Sequence, residues 1–302
     1  MIIVDYSGIA IAAIFSQDRP DEIEESLIRH MILNTLRRYN TKFRDEYGEL
    51  VIACDSSSWR KEVFSNYKAK RKTARKESDL DWNRLFTLIN TVRDELHEFT
   101  HYPVIYSDRA EADDIIATLT ESTQEFGKHE PVMIVSSDKD FLQLQRYSNV
   151  KQFSPMKKSF AKVEDPHFYK FEHVCRGDVS DGVPNILSGD ETFVDGSRQK
   201  PMRAKKITEW YDTCLSNNRN DSDLVESELR KSMGEDTYRN YCRNKTVIDL
   251  DYIPKDIAES IQSNYDSQIK TKEIHKSGFL NYLIEKRCNL LINSVRDFFP
   301  NK

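Results

Sequence analysis

The sequence predicts an α/β fold with a mostly parallel, twisted sheet and helices on both faces, followed by a mainly helical region. Three observations carry this. Short β-rich runs at residues 2–6, 50–55, 103–107, 132–136 and 150–153 alternate with amphipathic stretches at 22–39, 82–99 and 110–126. The runs are continuously apolar rather than alternating, as expected for strands covered on both faces. Beyond about residue 165 such runs become rare, and short helical patterns are separated by polar loops such as 188–203 and 217–222. Residues 1–165 therefore read as one α/β region and 166–302 as a helical one.

With 302 residues the chain can bury a proper core. No apolar run approaches a membrane span, and MIIVDYSG has no basic segment ahead of its apolar run, so it does not read as a secretory signal. The five cysteines (Cys54, Cys175, Cys214, Cys242, Cys288) are scattered and include no C-x-x-C pair. This excludes a zinc ribbon and a disulfide framework and points to a reducing cytoplasm. The net charge of −5 and pI of about 5.9 argue globally against nucleic acid. The average hides a segregation, because residues 60–76 hold eight basic side chains against one acid, Glu62. Two readings stand for that stretch: a solvated helix face, or a contact for a polyanion.

The acids are placed more tellingly. Asp5 ends the first run and Asp55 the second; Asp138 follows the fourth, with Asp140 two residues on. Glu111, Asp113 and Asp114 open the helical pattern after the third. In a parallel sheet, ligands bind beyond the carboxyl ends of the strands, so these acids, distant in sequence, share one edge. Singly, each has an ordinary role: Asp138 as a helix cap, Glu111 and Asp113 as complements to a helix dipole, Asp5 as a turn acid. Five or more carboxylates crowding one site need cations to offset their repulsion. Hard oxygen donors without His or Cys select Mg²⁺ or Mn²⁺. Two such ions can clamp the attacking and leaving oxygens of a phosphodiester. No G-x-x-x-x-G-K-[ST] loop is present, which argues against nucleoside-triphosphate hydrolysis. Asp5-Tyr6-Ser7 lacks the second Asp of an aspartyl-phosphate phosphatase. A further pair, Asp178 and Asp181, lies in the Gly- and Pro-containing loop RGDVSDGVPN, a weak signal by itself.

Taken together, IIVDYS, VIACDSSSWR, NYKAKR, EADDIIA, VSSDKDF, GDVSDGVPN and VIDLDYIP carry a resemblance over nearly the whole chain. The sequence resembles the flap endonuclease and 5′-nuclease family, most closely its ribonuclease H branch in T-even-like bacteriophages. The resemblance implies a PIN-like nuclease core, an arch around residues 60–85, and a helix-hairpin-type region for duplex DNA. It implies two Mg²⁺ ions, replaceable by Mn²⁺. The first is associated with Asp5, Asp55, Glu111 and Asp113, the second with Asp138, Asp140 and Asp181, with Asp113 as the bridge. Asp114 and Asp178 match acids acting through water or hydrogen bonds to the ligands. Tyr67-Lys68-Ala69-Lys70-Arg71 matches a Tyr-Lys-x-x-Arg pattern in the arch. Lys68 and Arg71 would stabilise charge in the transition state, while Tyr67, Lys70 and Arg60 would contact substrate. Trp59 and Trp82 read as anchors of the arch.

The implied activity is that of a 5′→3′ exonuclease and flap endonuclease that removes RNA primers and adjacent DNA during phage replication. Its substrates would be 5′-flapped, forked or nicked duplex DNA and RNA–DNA hybrid. The implied setting is a monomer in the host cytoplasm with no membrane contact, with a single-strand DNA-binding protein and a sliding clamp as partners. The family's G-I-G-x-K-T-A element is replaced by NILSGDETFVDGSRQKPMRAKK, which leaves a monovalent ion site in doubt. Duplex contact through Arg198, Lys200, Arg203, Lys205 and Lys206 and a plain surface loop are both open readings of this segment. Some phage relatives also carry a longer N-terminus. The terminal FFPNK reads as a pair of aromatics packed on the core or as a clamp-docking tail. Two rivals remain: a PIN-type single-strand ribonuclease, and a catalytically inactive DNA-structure-binding protein.

Overall fold

Five strands of the sheet fall on the five predicted runs. The structure, a computed structural model, describes residues 1–17, 24–216, 222–272 and 275–300. Its first half runs β1 (Ile2–Asp5), α1 (Tyr6–Phe15), α2 (Glu25–Tyr47), β2 (Leu50–Ala53), α3 (Arg60–Val63) and α4 (Ala69–Lys76). It continues with α5 (Trp82–Phe99), β3 (Val104–Ile105), α6 (Ala112–Ser122), β4 (Val132–Val135), β5 (Val150–Ser154) and β6 (Ser159–Ala161). Helices then follow: α7 (Pro166–Arg176), α8 (Ala204–Ser216), α9 (Ser222–Met233), α10 (Glu235–Ile248), α11 (Lys255–Thr271), α12 (Lys276–Glu285) and α13 (Asn289–Ile292).

The strand order is β3-β2-β1-β4-β5-β6, parallel except for the β5–β6 pair. In register, Ile2 lies between Leu50 and Met133, and Val4 between Ile52 and Val135. Ile2, Val4, Ile52, Val104, Met133 and Val135 share a core with α1, α2 and α5. On the alternate positions, α6 packs against β1 and β2, and α11 against β3 and α6. Covering both faces is what makes the strands continuously apolar. The order reverses direction between β1 and β4, so a crevice opens at their carboxyl ends.

Several bounds differ from the sequence reading. The helix expected over 22–39 begins at Glu25 and continues to Tyr47, because Phe43 and Tyr47 extend its buried stripe. It stops at Gly48, whose φ of 80° suits glycine. Residues 22 and 23 lie outside the described residues, as do 217–221 of the expected polar break. The helix expected over 110–126 is shorter, ending at Ser122 before a 3-10 turn at Glu125–Gly127. Strand β6 gave no sequence signal: it has three residues, two of them exposed.

By packing, the chain forms two units that do not follow its linear order. The first comprises Met1–Ser58, Asp79–Lys162 and Ile253–Lys302; the second comprises Trp59–Ser78 and Val163–Tyr252. A split by strand content at 165/166 and this split by packing are therefore different partitions. In the first unit Trp82 sits between Phe15 and Phe86, at 5.8 and 5.7 Å. Phe298 and Phe299 are buried in its core; Asn301 and Lys302 lie outside the described residues. The second unit has its own core, with Phe64 and Tyr67 packed among Phe171, Val174, Ile207 and Trp210. Among the described residues, no helix is long and apolar enough to cross a membrane.

One buried group of the first unit gives the fold a pH dependence. His101, 8% exposed, stacks on Phe299 at 5.2 Å. Burial, reinforced by the charge of Lys272, pushes its pKa down to about 4. Between roughly pH 6.5 and pH 4 the unfolded chain binds a proton that the folded chain refuses, so stability falls as pH drops through that window. The expected loss is about 3 kcal/mol at the acid end. His101→Gln should flatten this decline in urea-unfolding free energies measured from pH 7 to pH 4.

Candidate active site

In the first unit, local hydrogen bonding fixes Asp5, Asp55, Glu111, Asp114 and Asp138 at the carboxyl edge of the sheet. Asp5, the last residue of β1, caps α1: its Oδ1 accepts the Gly8 amide at 2.9 Å. Its Oδ2 accepts the Ser136 hydroxyl at 2.9 Å. A Cβ at position 8 would lie 2.8 Å from Asp5 Oδ2, so any side chain there would displace the carboxylate. Ser136 Oγ also accepts the Asp138 amide at 3.1 Å, and so links the acids of β1 and β4. Asp138 Oδ1 accepts the Asp140 amide at 3.0 Å as the chain turns into a 3-10 helix whose N-cap position is Lys139, so Asp138 braces the turn ahead of the helix rather than capping it. Gln152 on β5 holds this loop from below, donating to the carbonyls of Ser136 (3.0 Å) and Asp138.

The other flank is built around the start of α6. Asp55, two residues beyond β2, accepts the Ala112 amide at 2.8 Å, one of the amides a helix start leaves unpaired. Glu111 is the N-cap of α6 and is 5% exposed; its Oε2 accepts the Ser58 hydroxyl at 2.6 Å. Asp113 lies half-buried in the first turn. Asp114 is fully buried and accepts the Glu111 amide at 2.8 Å, so it fixes the residue that carries a site carboxylate. Asp5, Asp55, Glu111, Asp113, Asp138 and Asp140 thus lie at or just beyond the carboxyl ends of β1, β2 and β4 or at the start of α6, on one edge of the sheet. Two unit charges 4 Å apart repel by about 4 kcal/mol at an effective dielectric of 20. An all-oxygen set of this kind fits a hard divalent cation.

The second unit assembles the remaining residues. The Tyr67 hydroxyl donates to Asp181 Oδ2 at 2.8 Å, and Lys68 Nζ lies 3.5 Å from the same oxygen. Arg71 pairs with Oδ1. The Lys68 amide donates to the Asp181 carbonyl at 2.7 Å, so backbone as well as side chains ties this segment to the 178–183 turn. Burial raises the Asp181 pKa; the nearby charges of Lys68 and Arg71 and the Tyr67 hydrogen bond offset part of that. Asp178 is the opposite case. Burial works against its charge, but hydrogen bonds from Ser180 and the Asp181 amide, with His173 nearby, hold its carboxyl below the usual range.

The remaining basic residues divide. Lys70 is exposed, with its ammonium 4.4 Å from the Phe193 ring centre. Arg60 is 2% exposed; its Nε donates to the Val247 carbonyl at 2.8 Å and its guanidinium lies over Trp59. In this conformation Arg60 supports the interior of the second unit rather than presenting a charge to solvent. The inserted segment is tied back at several points. Gln199 accepts the Asn185 amide, Asn185 Nδ2 donates to the Lys200 carbonyl, and the Lys200 amide donates to Ser188. Sequence reasoning overlooked Ser58, Ser136 and Gln152, which orient the acids; the serines adjoining VSSD and CDSSS were the available signal.

Comparison with known proteins gives the family and the fold. The 5′–3′ exonuclease N-terminal resolvase-like domain matches residues 1–172, and the C-terminal domain of T4 RNase H matches residues 166–298. The chain belongs to the 5′–3′ exonuclease family and is a nuclease. It is similar over its length to the ribonuclease H of Enterobacteria phage T4, with 31% identity over 307 residues covering 98% of this chain and 95% of that one. The flap endonuclease Xni of Shewanella piezotolerans is 26% identical over 146 residues, 48% of this chain and 52% of that protein. The T5 D15 protein co-crystallised with metal ions shares the fold, with a TM-score of 0.64 at 13% identity over 90% of this chain and 99% of that one. A T5 D15 flap endonuclease complex with DNA and metal ions gives 0.63 at 15% identity over 89% and 99%.

Gly177 is required by the turn that carries Asp178 and Asp181. Its φ is +67°, and a Cβ there would meet the Val183 carbonyl oxygen at 2.3 Å and the Pro184 carbonyl at 2.6 Å. Gly177→Ala is expected to destabilise the protein by more than about 1 kcal/mol, measured by thermal unfolding followed by circular dichroism.

Proposed function

We propose that this chain is a 5′→3′ exonuclease with flap endonuclease activity that removes RNA primers and adjacent DNA during phage DNA replication. The observation that carries the reading is the strand topology, which brings six carboxylates to the carboxyl edge of a parallel sheet. Asp5, Asp55, Glu111 and Asp113 would hold one Mg²⁺, and Asp138, Asp140 and Asp181 a second; Mn²⁺ would substitute. When bound, these ions activate water and stabilise charge on the phosphodiester during in-line displacement. The chain's own residues orient the donors: Ser136 fixes Asp5 and Asp138, Ser58 fixes Glu111, and Asp114 holds the Glu111 backbone.

Lys68 and Arg71 stabilise the charge that develops on the phosphate, exchanging their pairing with Asp181 for the substrate. Lys70 lines the path of the 5′ strand; Tyr67, expected to contact substrate, is buried in the core of the second unit and instead holds Asp181 through its hydroxyl. The helical region of 166–302 holds the duplex through its backbone, so binding is salt-sensitive and only weakly sequence-specific. The protein works as a monomer in the host cytoplasm, alongside a single-strand DNA-binding protein and a sliding clamp.

The test is cleavage of a 5′-flapped duplex and of a primed RNA–DNA hybrid, in Mg²⁺ and in EDTA. Short 5′ products are expected in Mg²⁺ only. Asp138→Ala should abolish them, and Arg71→Ala should lower kcat by about 10²- to 10³-fold. Retained DNA binding with no cleavage of either substrate would overturn the proposal in favour of a DNA-structure-binding protein.

A further inference from the structure

Asn244, on α10 in the second unit, is fully buried. Its Nδ2 donates to the carbonyl of Val174 near the end of α7 and to the carbonyl of Pro184, each at 2.8 Å. Its Oδ1 accepts from Arg243 Nε at 2.9 Å. Both N–H donors of the amide are thereby used. They bridge the chain entering a turn to the chain leaving it. Inside that turn the Val183 amide donates to the Asp178 carbonyl at 2.7 Å, and Asp178 Oδ1 collects the Ser180 and Asp181 amides. Further along the same chain, Arg243 adds a second donor to the Pro184 carbonyl at 2.9 Å. Asn240, one helical turn before Asn244, donates to the carbonyls of Ile186 and Ser188 at 3.0 and 3.1 Å.

We infer that Asn244 is a positioning residue for Asp181: by clamping the two ends of the 178–183 turn, it fixes where the Asp181 carboxylate is presented. Packing alone does not call for an amide here, since an apolar side chain would leave no polar group of its own to satisfy. An asparagine is suited because its one amide group supplies two donors, one to the Val174 carbonyl and one to the Pro184 carbonyl that Arg243 also reaches, and so ties the two ends together. The inference rests on the proposed reading of Asp181 as a ligand to a divalent cation.

The test is calorimetric titration of Mn²⁺ into the full chain, without substrate, for wild type, Asn244→Asp, Asn244→Ser and Asp181→Ala. Asn244→Asp keeps the shape but offers the two carbonyls no N–H. It should weaken Mn²⁺ binding about 10- to 100-fold at the site that Asp181→Ala removes. The other Mn²⁺ site should be unchanged, as should flapped-duplex binding in EDTA, which a general loss of structure would not spare. Where a buried carboxylate prevents folding, Asn244→Ser carries the test; it keeps one donor and should show a smaller loss at the same site. Folded Asn244 variants with wild-type Mn²⁺ binding overturn the inference. An Asp181→Ala protein that keeps both Mn²⁺ sites overturns the reading of Asp181 itself, which is a separate failure.

Discussion

The parallel pairing of β1 between β2 and β4 is the constraint on which the rest of the first unit depends. A parallel ladder puts every carboxyl end on the same edge, and register decides how far each chain projects beyond it. Because Val4 lies opposite Ile52 and Val135, Asp5, Asp55 and Asp138 leave the sheet within a few residues of one another. The reversal of strand order at β1 then opens the space into which they project. Sliding one strand by a residue would turn its apolar side chains to the other face and remove its acid from the row. The core therefore enforces the electrostatics: burial of Ile2, Val4, Ile52 and Val135 holds mutually repelling groups in place.

Much of this was legible in the sequence because the edge acids sit at the junctions of period and composition. Each ends a β-rich run or opens a helical pattern, so topology alone assigns Asp5, Asp55, Glu111, Asp113, Asp138 and Asp140 to one edge. The supporting contacts were not legible. Ser136 touches Asp5 across 131 positions of sequence, and nothing in VSSD says which serine turns inward. Arg60 illustrates the opposite limit. Its place in a basic run suggests solvent, yet its side chain is buried over Trp59 and on the Val247 carbonyl, a contact separated by 187 positions. Local charge density does not reveal which member of a run the tertiary fold takes inside. The packing partition was equally hidden, since no break in composition marks Ile253 as the point where the chain rejoins the first unit.

The two units organise their acids by different means, and the difference has a physical consequence. The hydrogen bonds that orient Asp5, Asp55, Glu111 and Asp138 come from serine hydroxyls and backbone amides. A neutral donor aims a carboxylate without cancelling its charge, so the orientation survives while the attraction for a cation is retained. Asp181 takes a neutral donor too, the Tyr67 hydroxyl, but is also met by the charges of Lys68 and Arg71. A group so buried would be costly to ionise alone, and the two cations make its charged form tolerable in the absence of a metal. The same pairing holds the basic residues in register with the turn. On the proposed reading of Asp181 as a metal ligand, an arriving cation would compete with Lys68 and Arg71 for the carboxylate, and loading the acid would free the basic residues. The turn beneath Asp181 is braced independently of that exchange, its ends held from α10 by Asn244 on the carbonyls of Val174 and Pro184 and by Arg243 on the latter.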